Sequence, residues 1–285
     1  MPVLYLGKML LKAVWVMILT FVGTAGVLAQ TLHNQYPDTV FINSSQQLAL
    51  KILATTDTLS RSLYWPNIDP ALFFDNVRMN VLYPDKINQG QSNNLCGYAT
   101  VTYILLKYQP QVYVQSIIEL YQKGEVHLNK KKFRASENVR NAAGTLKYNG
   151  DLQILHANQL WLLFLADNFK GYINILNYKY QPGDEKNLWA STTYAKFNRM
   201  LKRIDNYPTE ALGSDLIRPW RNKFNYLSRE IHSGTIILYV NSNYIRPSKY
   251  TLLKWPMPTH YIVLNEISRT DGVIQIKYWD YGLKT

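Results

Sequence analysis

The sequence predicts an α+β fold in which helices come first and an antiparallel sheet follows. Upstream of Gly234, apolar residues recur at the three- and four-residue spacing of helices, and prolines or glycines separate the segments. Downstream, the runs TIILYVNSNYI, HYIVLNEI and VIQIKYWDY are rich in β-branched and aromatic residues, as strands are. Thr270-Asp271-Gly272 separates the last two runs, and an Asp-Gly pair between strands is typical of a tight hairpin.

The first 29 residues have the parts of a secretory signal peptide. Lys8 and Lys12 precede a long apolar run that ends in small residues at Val27-Leu28-Ala29. Cleavage after Ala29 would release a secreted or periplasmic protein. The same run approaches the length of a membrane span, so an uncleaved anchor is the alternative.

Residues 30–87 are expected to be an N-terminal extension or a short pro-segment, ahead of a catalytic domain over 88–285. Five side chains of the extension recur at helical spacing: Leu48, Ile52, Thr55, Leu59 and Leu63. They predict a helix that begins after a serine cap at Ser44 or Ser45 and ends before Pro66. The aromatic residues that follow have no regular period, so the stretch up to the cysteine turn is expected to be irregular.

The middle of the domain is expected to be mostly helical. Predicted helices cover residues 99–108, 112–122, 151–168, 186–206 and 215–232. The segment YINILNYKY, residues 172–180, alternates apolar and polar residues and predicts a strand. Residues 110–233 would then form a helical insertion between the two ends of the domain.

Cys96 is the only cysteine of the chain, and it follows a polar Gly/Asn/Gln turn. The apolar run VTYILLKY after it predicts a helix, which would place the thiol at the positive end of a helix dipole, where thiolate is favoured. A lone free thiol in an oxidising compartment is a liability unless it reacts. A small buried core residue is the alternative, but the exposed-looking turn favours a nucleophile.

His260 and Asp280 are the residues that could activate such a nucleophile. A nucleophilic cysteine needs a base and a third group that orients the base. His260 opens a predicted strand after the proline-rich segment PMPT, and the antiparallel hairpin returns Asp280 to its neighbourhood. The pair could be structural by itself, but together with Cys96 it indicates catalysis.

These segments resemble a known family. NQGQSNNLCGYAT resembles the active-site turn of papain-like cysteine peptidases, most closely the secreted staphopain type, and HYIVLNEISRTDGVIQIKYWDYG is similar to that family's histidine strand, hairpin and third-residue strand. The double-glycine-leader peptidase domains of bacterial exporters share the Cys–His–Asp order. The resemblance covers these two segments and leaves the chain between them unmatched. It implies a papain-like fold, in which a helical part carrying the cysteine helix packs on the C-terminal sheet.

The resemblance also implies roles for single residues. Cys96 would be the nucleophile, His260 the general base and then acid, and Asp280 the orienting residue, where papain itself has asparagine. An upstream glutamine would stabilise the oxyanion beside the Cys96 N–H group. Gly90 stands at the glutamine's usual position, so Gln89 and Gln91 are the candidates, and Gln89 is favoured because a turn absorbs an extra residue more easily than a missing one.

Composition restricts the cofactors and partners. The sequence has no HExxH, no pair of histidines at ligand spacing and no glycine-rich nucleotide motif, so neither a metal nor another cofactor is expected. The formal net charge of +12 predicts attraction to an anionic cell-envelope surface. The basic runs are short and match no nucleic-acid-binding module, so no specific nucleic acid partner is expected.

The residues therefore predict an exported thiol hydrolase that acts on a peptide or protein substrate. A transglutaminase, deamidase or amidase effector could use the same triad and thioester, because only the acyl acceptor or the target amide differs. A non-catalytic, basic envelope-binding protein with an inert thiol is the alternative from another class.

Overall fold

The computed structural model confirms an α+β fold, with helices in front and a four-stranded antiparallel sheet behind. The described residues are 42–56, 60–90, 93–147, 154–204, 207–215, 223–242, 258–281 and 283–284. The predicted signal segment, 1–29, lies outside them. Within the described ranges, no helix has the length and apolar character needed to cross a bilayer.

Two helices open the described chain, α1 (Ser44–Ala54) and α2 (Pro70–Leu82). Asn43 caps α1: its side chain accepts from the Gln46 N–H at 2.9 Å, and the Gln46 side chain accepts from the Asn43 N–H at 3.1 Å. The predicted serine cap is therefore wrong, because a reciprocal capping box forms one residue earlier.

The end of α1 and the presence of α2 also differ from the sequence prediction. Helix α1 ends at Ala54 instead of continuing towards Leu63, which is 94% exposed. Helix α2 occupies a stretch that was expected to be irregular. Asp69 caps it by accepting from the Leu72 N–H at 2.9 Å, and Pro70 stands at its first position, where a missing N–H costs nothing.

The central elements follow the predicted pattern more closely. They are α3 (Cys96–Tyr108), α4 (Pro110–Lys123), β1 (Glu125–Leu128), β2 (Lys131–Arg134), α5 (Glu137–Ala142) and α6 (His156–Asn168). Helices α3 and α6 are buried on nearly every side, and the Trp161 indole donates to the Thr102 hydroxyl at 3.0 Å between them. The predictions of helices over 99–108, 112–122 and within 151–168 are confirmed.

The predicted strand over 172–180 is wrong. This segment forms a short 3-10 turn, Tyr172–Asn174, followed by bends. The Asn174 side chain accepts from the Gly171 N–H at 2.9 Å and donates to the Leu188 and Trp189 carbonyls at 3.1 Å. Such side-chain to backbone bonds compete with a strand ladder, which is why the alternating pattern produced no strand. Two helices follow, α7 (Tyr194–Ile204) and α8 (Lys223–Glu230).

The sheet consists of β3 (Ile236–Val240), β4 (His260–Thr270), β5 (Val273–Asp280) and β6 (Leu283–Lys284), in that spatial order. Helix α3 packs on the sheet where the Tyr103 ring stacks on Trp279, with centroids 4.3 Å apart and planes 7° apart. The Trp279 indole also donates to the Asp85 carbonyl at 2.9 Å. The sheet is thus joined to the helical part near the C-terminal end of β5.

The β4–β5 hairpin contains a bulge that changes its register. Thr270 pairs with Val273 beside the turn, but the pairing shifts between Leu264 and Glu266, so that Val263 lies opposite Trp279. With the register of the turn alone, Asp280 would face Val263. The register beyond the bulge, continued by one residue from Val263 and Trp279, places Asp280 opposite Ile262 instead, and a shift of one residue reverses the face on which side chains meet.

The hairpin turn itself depends on its glycine. Asp271 and Gly272 have φ of 51° and 78°, which is the two-residue turn that matches strand twist. We expect Gly272→Ala to lower the free energy of unfolding by about 1 kcal/mol, since an L-residue is strained at this φ. Gly234→Ala is the matched control, because added Cβ atoms at both glycines meet nothing within 4 Å and Gly234 lacks a positive φ. Urea unfolding measures both variants, and equal effects would contradict the prediction.

Candidate active site

Cys96 is the first residue of α3, and a polar turn holds it there. The Asn93 side chain accepts from the Leu95 N–H at 3.0 Å and donates to the Gln89 carbonyl at 2.6 Å. These two bonds close the chain on itself directly before the helix. Cys96 is 8% exposed, so the turn presents the thiol at the edge of the core and not on an open surface.

The same turn is attached to a distant segment, the 171–191 loop (Gly171 to Ser191). The Asn94 N–H donates to the Glu185 carbonyl at 2.8 Å, and the Asn94 side chain donates to the carbonyls of Lys186 and Asn187, each at 3.0 Å. Sequence reasoning missed this role for Asn94. A pair of asparagines before a helix is a signal for side-chain to backbone bonding, but it does not reveal the partner segment.

Gly97 allows the cysteine helix to approach the chain directly after the loop. A Cβ atom added at Gly97 would lie 2.7 Å from the Thr192 Cβ, closer than real Cβ contacts come. The start of α3 can therefore pack against Thr192 only if the residue after the cysteine is small.

His260 and Asp280 meet on one face of the β4–β5 hairpin. His260 Nε2 and Asp280 Oδ1 are 2.7 Å apart, and the side chains are 12% and 1% exposed. The bulge brings them together, because the shifted register, continued by one residue, places Asp280 opposite Ile262, which lies two residues from His260 and hence on the same face of β4. The Tyr281 ring meets the His260 ring edge to face, with centroids 5.4 Å apart.

The imidazole also interacts with the cysteine. Burial by itself lowers the pKa of His260, but hydrogen bonds to Asp280 and to the Cys96 side chain, with the charges of both groups, raise that pKa to about 10. The Cys96 Sγ lies 3.9 Å from the carbonyl oxygen of Thr259, the residue before the histidine. The structure thus brings Cys96, His260 and Asp280 into one chain of contacts, with a charged imidazole between a sulfur and a buried carboxylate at neutral pH.

Of the two glutamines that could stabilise the oxyanion, the structure describes only Gln89. Gln89 is 4% exposed, and its Oε1 has no hydrogen-bond partner in the described part of the chain. A buried amide oxygen without a partner is unusual in a folded protein, but this atom is an acceptor, so it does not bear on the donor role that an oxyanion requires. Gln91 lies outside the described residues.

Lys196 is a further residue near the site that sequence reasoning missed. It is 1% exposed, its Nζ donates to the Ser191 carbonyl at 3.0 Å, and Nζ lies 5.1 Å from the centre of the Tyr98 ring. Burial, with the nearby charges of Lys170 and Arg199, lowers its pKa to about 7. Lysine side chains are rarely buried, so the residue type by itself predicts exposure, and the tertiary contacts of α7 bury this one.

An aromatic stack supports the histidine strand from the opposite face. Tyr261 lies between the rings of Phe197 and Tyr239, with centroid distances of 4.1 and 4.3 Å.

In the described ranges, no group of three or more His, Cys, Asp or Glu side chains is placed to hold a metal ion.

The raised pKa of His260 predicts a pH-dependent contribution to stability. The value is about 10 when folded and 6.5 for an ordinary histidine, so the folded state binds the proton more tightly. The stabilisation is complete below about pH 6.5 and is lost as the pH rises towards about 10. We expect the difference in unfolding free energy between the wild type and His260→Gln to decrease over this range, measured by urea unfolding. A difference that grows with pH would contradict the prediction.

No protein-family model, no curated protein and no solved structure matches this chain, so its possible activity is inferred from the geometry of Cys96, His260 and Asp280.

Proposed function

We propose that this protein is a thiol hydrolase that cleaves peptide or amide bonds through Cys96, His260 and Asp280. The observation that carries the proposal is the buried, hydrogen-bonded imidazole between the Cys96 side chain and the Asp280 carboxylate. A nucleophile, a base in contact with it and a buried acid that orients the base are the three parts that acyl transfer requires.

Each residue has a definite step in this reaction. The Cys96 thiol gives its proton to His260 and its sulfur attacks the amide carbonyl carbon, while the electron pair of the carbonyl moves to its oxygen. When the C–N bond breaks, His260 gives its proton to the leaving amine and a thioester remains on Cys96. His260 then removes a proton from water, and the resulting hydroxide attacks the thioester carbonyl carbon. The C–S bond breaks with its electron pair on sulfur, the acid product leaves, and His260 returns the proton to the Cys96 sulfur.

The oxyanion would be stabilised at the start of α3. The first N–H groups of a helix have no partner within the helix, and that of Cys96 is one of them. Gln89 would supply the second donor through its side-chain N–H group, because the residue is buried just before the turn. It stands one residue further from the cysteine than the glutamine of papain-like peptidases, and a turn can absorb this extra residue.

The papain-like arrangement is part of the proposal. Its support is that the cysteine begins a buried helix, while the histidine and aspartate come from the antiparallel sheet on which this helix packs. Export by the N-terminal signal segment is proposed from the sequence alone.

Activity on peptides tests the proposal directly. We expect the protein to cleave members of a peptide library, and Cys96→Ala to lower the rate by about 10³-fold because no other described residue replaces the nucleophile. Mass spectrometry of the products distinguishes the acyl acceptors: water adds to a cleaved peptide, a transglutaminase joins an amine, and a deamidase leaves the backbone intact. Cleavage that Cys96→Ala leaves unchanged would disprove the proposal.

Thiol reactivity tests the site without a substrate. We expect His260→Gln to slow the alkylation of Cys96 by iodoacetamide about tenfold or more at neutral pH, because the base that interacts with the thiol and can take its proton is lost. His232→Gln, which changes an exposed histidine after α8, is the matched control. Since Cys96 is the only cysteine, the mass increase of the intact protein reports on it alone. Equal rates in both variants would favour an inert thiol and a binding protein.

A further inference from the structure

The 171–191 loop carries an unusual number of apolar side chains on its outer surface. Among the described residues, twelve large hydrophobic side chains are exposed, and five of them belong to this loop: Tyr172, Ile175, Leu176, Tyr178 and Leu188. Leu176 is 100% exposed and Ile175 is 77% exposed. Single exposed apolar residues are ordinary, whereas a cluster of them marks a surface that binds something.

The loop is held rigidly by its own interior. Trp189 is fully buried, packs against Tyr180 with ring centroids 4.8 Å apart, and donates from its indole to the Tyr178 carbonyl at 3.3 Å. The Asn174 side chain binds both limbs of the loop, and Lys196 donates to its Oδ1 at 3.5 Å. An apolar surface on such a support is displayed at fixed positions.

The acidic side chains of the loop point inward, and its lysines are exposed to solvent. Its two acidic residues are turned inward: Asp184 accepts from the Gln181 N–H at 2.8 Å, and Glu185 accepts from the Tyr180 hydroxyl at 3.0 Å. Their exposed fractions are 8% and 5%. The lysines Lys179 and Lys186 are exposed. The outer surface therefore combines apolar side chains with positive charge.

One acidic group lies at the margin of this surface. Asp215 hydrogen-bonds with the Tyr172 hydroxyl and accepts from the Tyr194 N–H at 2.6 Å. It therefore lies where Tyr172 meets the start of α7. The surface therefore carries one acidic group beside Tyr172 as well as the exposed Lys179 and Lys186.

We propose that the 171–191 loop docks on the surface of an anionic lipid bilayer, with Ile175 and Leu176 inserted among the acyl chains and the lysines at the headgroups. Apolar and aromatic side chains beside lysines are the combination that interfacial membrane-binding segments use. The formal net charge of +12 attracts the whole protein to such a surface. Because Asn94 bonds to residues 185–187, docking would bring the cysteine turn near the bilayer.

A bilayer fits these side chains better than a peptide does. The open groove between the limbs of the loop has a volume of about 740 Å³ and is lined by Tyr172, Ile175, Leu176 and Leu188, among others. A peptide side chain in this groove would cover only its inner wall. A leucine as exposed as Leu176 loses contact with water on all sides when it enters an apolar layer.

Vesicle binding tests the proposal with a matched control. In the full-length chain, we expect Leu176→Glu to weaken binding to vesicles of equal parts phosphatidylcholine and phosphatidylglycerol by about tenfold or more, because the leucine's burial in the acyl layer is lost. Leu63→Glu should not weaken it, since Leu63 is 94% exposed but lies elsewhere in the chain. Equal binding of the two variants would overturn the proposal.

A local measurement separates the loop from any membrane contact made by residues 1–29. In a Cys96→Ala background, Leu176→Cys and Leu63→Cys each provide one thiol for an environment-sensitive fluorophore. On the anionic vesicles, we expect a blue shift and higher emission from position 176 and none from position 63, and neither change on pure phosphatidylcholine. The proposal is overturned if position 176 behaves like position 63. It is also overturned if Leu176→Glu alters only the KM for a peptide, which would identify the groove as a peptide subsite.

Discussion

The packing of Trp279 is the interaction on which the arrangement of the candidate site depends. Its ring stacks on Tyr103 of the cysteine helix, and its indole donates to the Asp85 carbonyl, in the segment that leads into the cysteine turn. A buried aromatic pair of this kind contributes about 1 kcal/mol beyond the area that it buries. The neighbouring Asp280 points to the other face of the same strand, so one strand end both joins the sheet to the helix and supplies the acid.

The site shows how a small irregularity in the backbone can decide its chemistry. An unbroken ladder from the turn would place Asp280 opposite Val263, whose side chain is on the other face from His260. The bulge between Leu264 and Glu266 shifts the pairing by one residue, so that Asp280 points to the same face as His260. The 2.7 Å contact between their side chains then becomes possible. The resulting contact keeps a positive charge beside a carboxylate that is 1% exposed. Either charge without the other would carry a large desolvation cost.

The 171–191 loop relates the proposed chemistry to the proposed membrane surface. Its inner side consists of hydrogen-bonded asparagine, aspartate and glutamate side chains around Trp189, and its outer side is apolar and basic. Asn94 connects the loop to the turn that precedes Cys96. A single segment can therefore support the nucleophile from one side and meet a partner on the other.

The sequence by itself determined the α+β order, most of the helices around Cys96 and the Asp271-Gly272 hairpin. It also identified Cys96, His260 and Asp280 as the candidate site residues. These features depend on local periodicity, turn propensities and chain order, which are properties of short segments. Tertiary structure decided what depends on distant partners: the bulge that aligns His260 with Asp280, the attachment of Asn94 to residues 185–187, and the burial of Lys196. It also decided that 172–180 is a loop, since Asn174 binds the backbone of a segment fourteen residues away, and no period in the sequence encodes that contact.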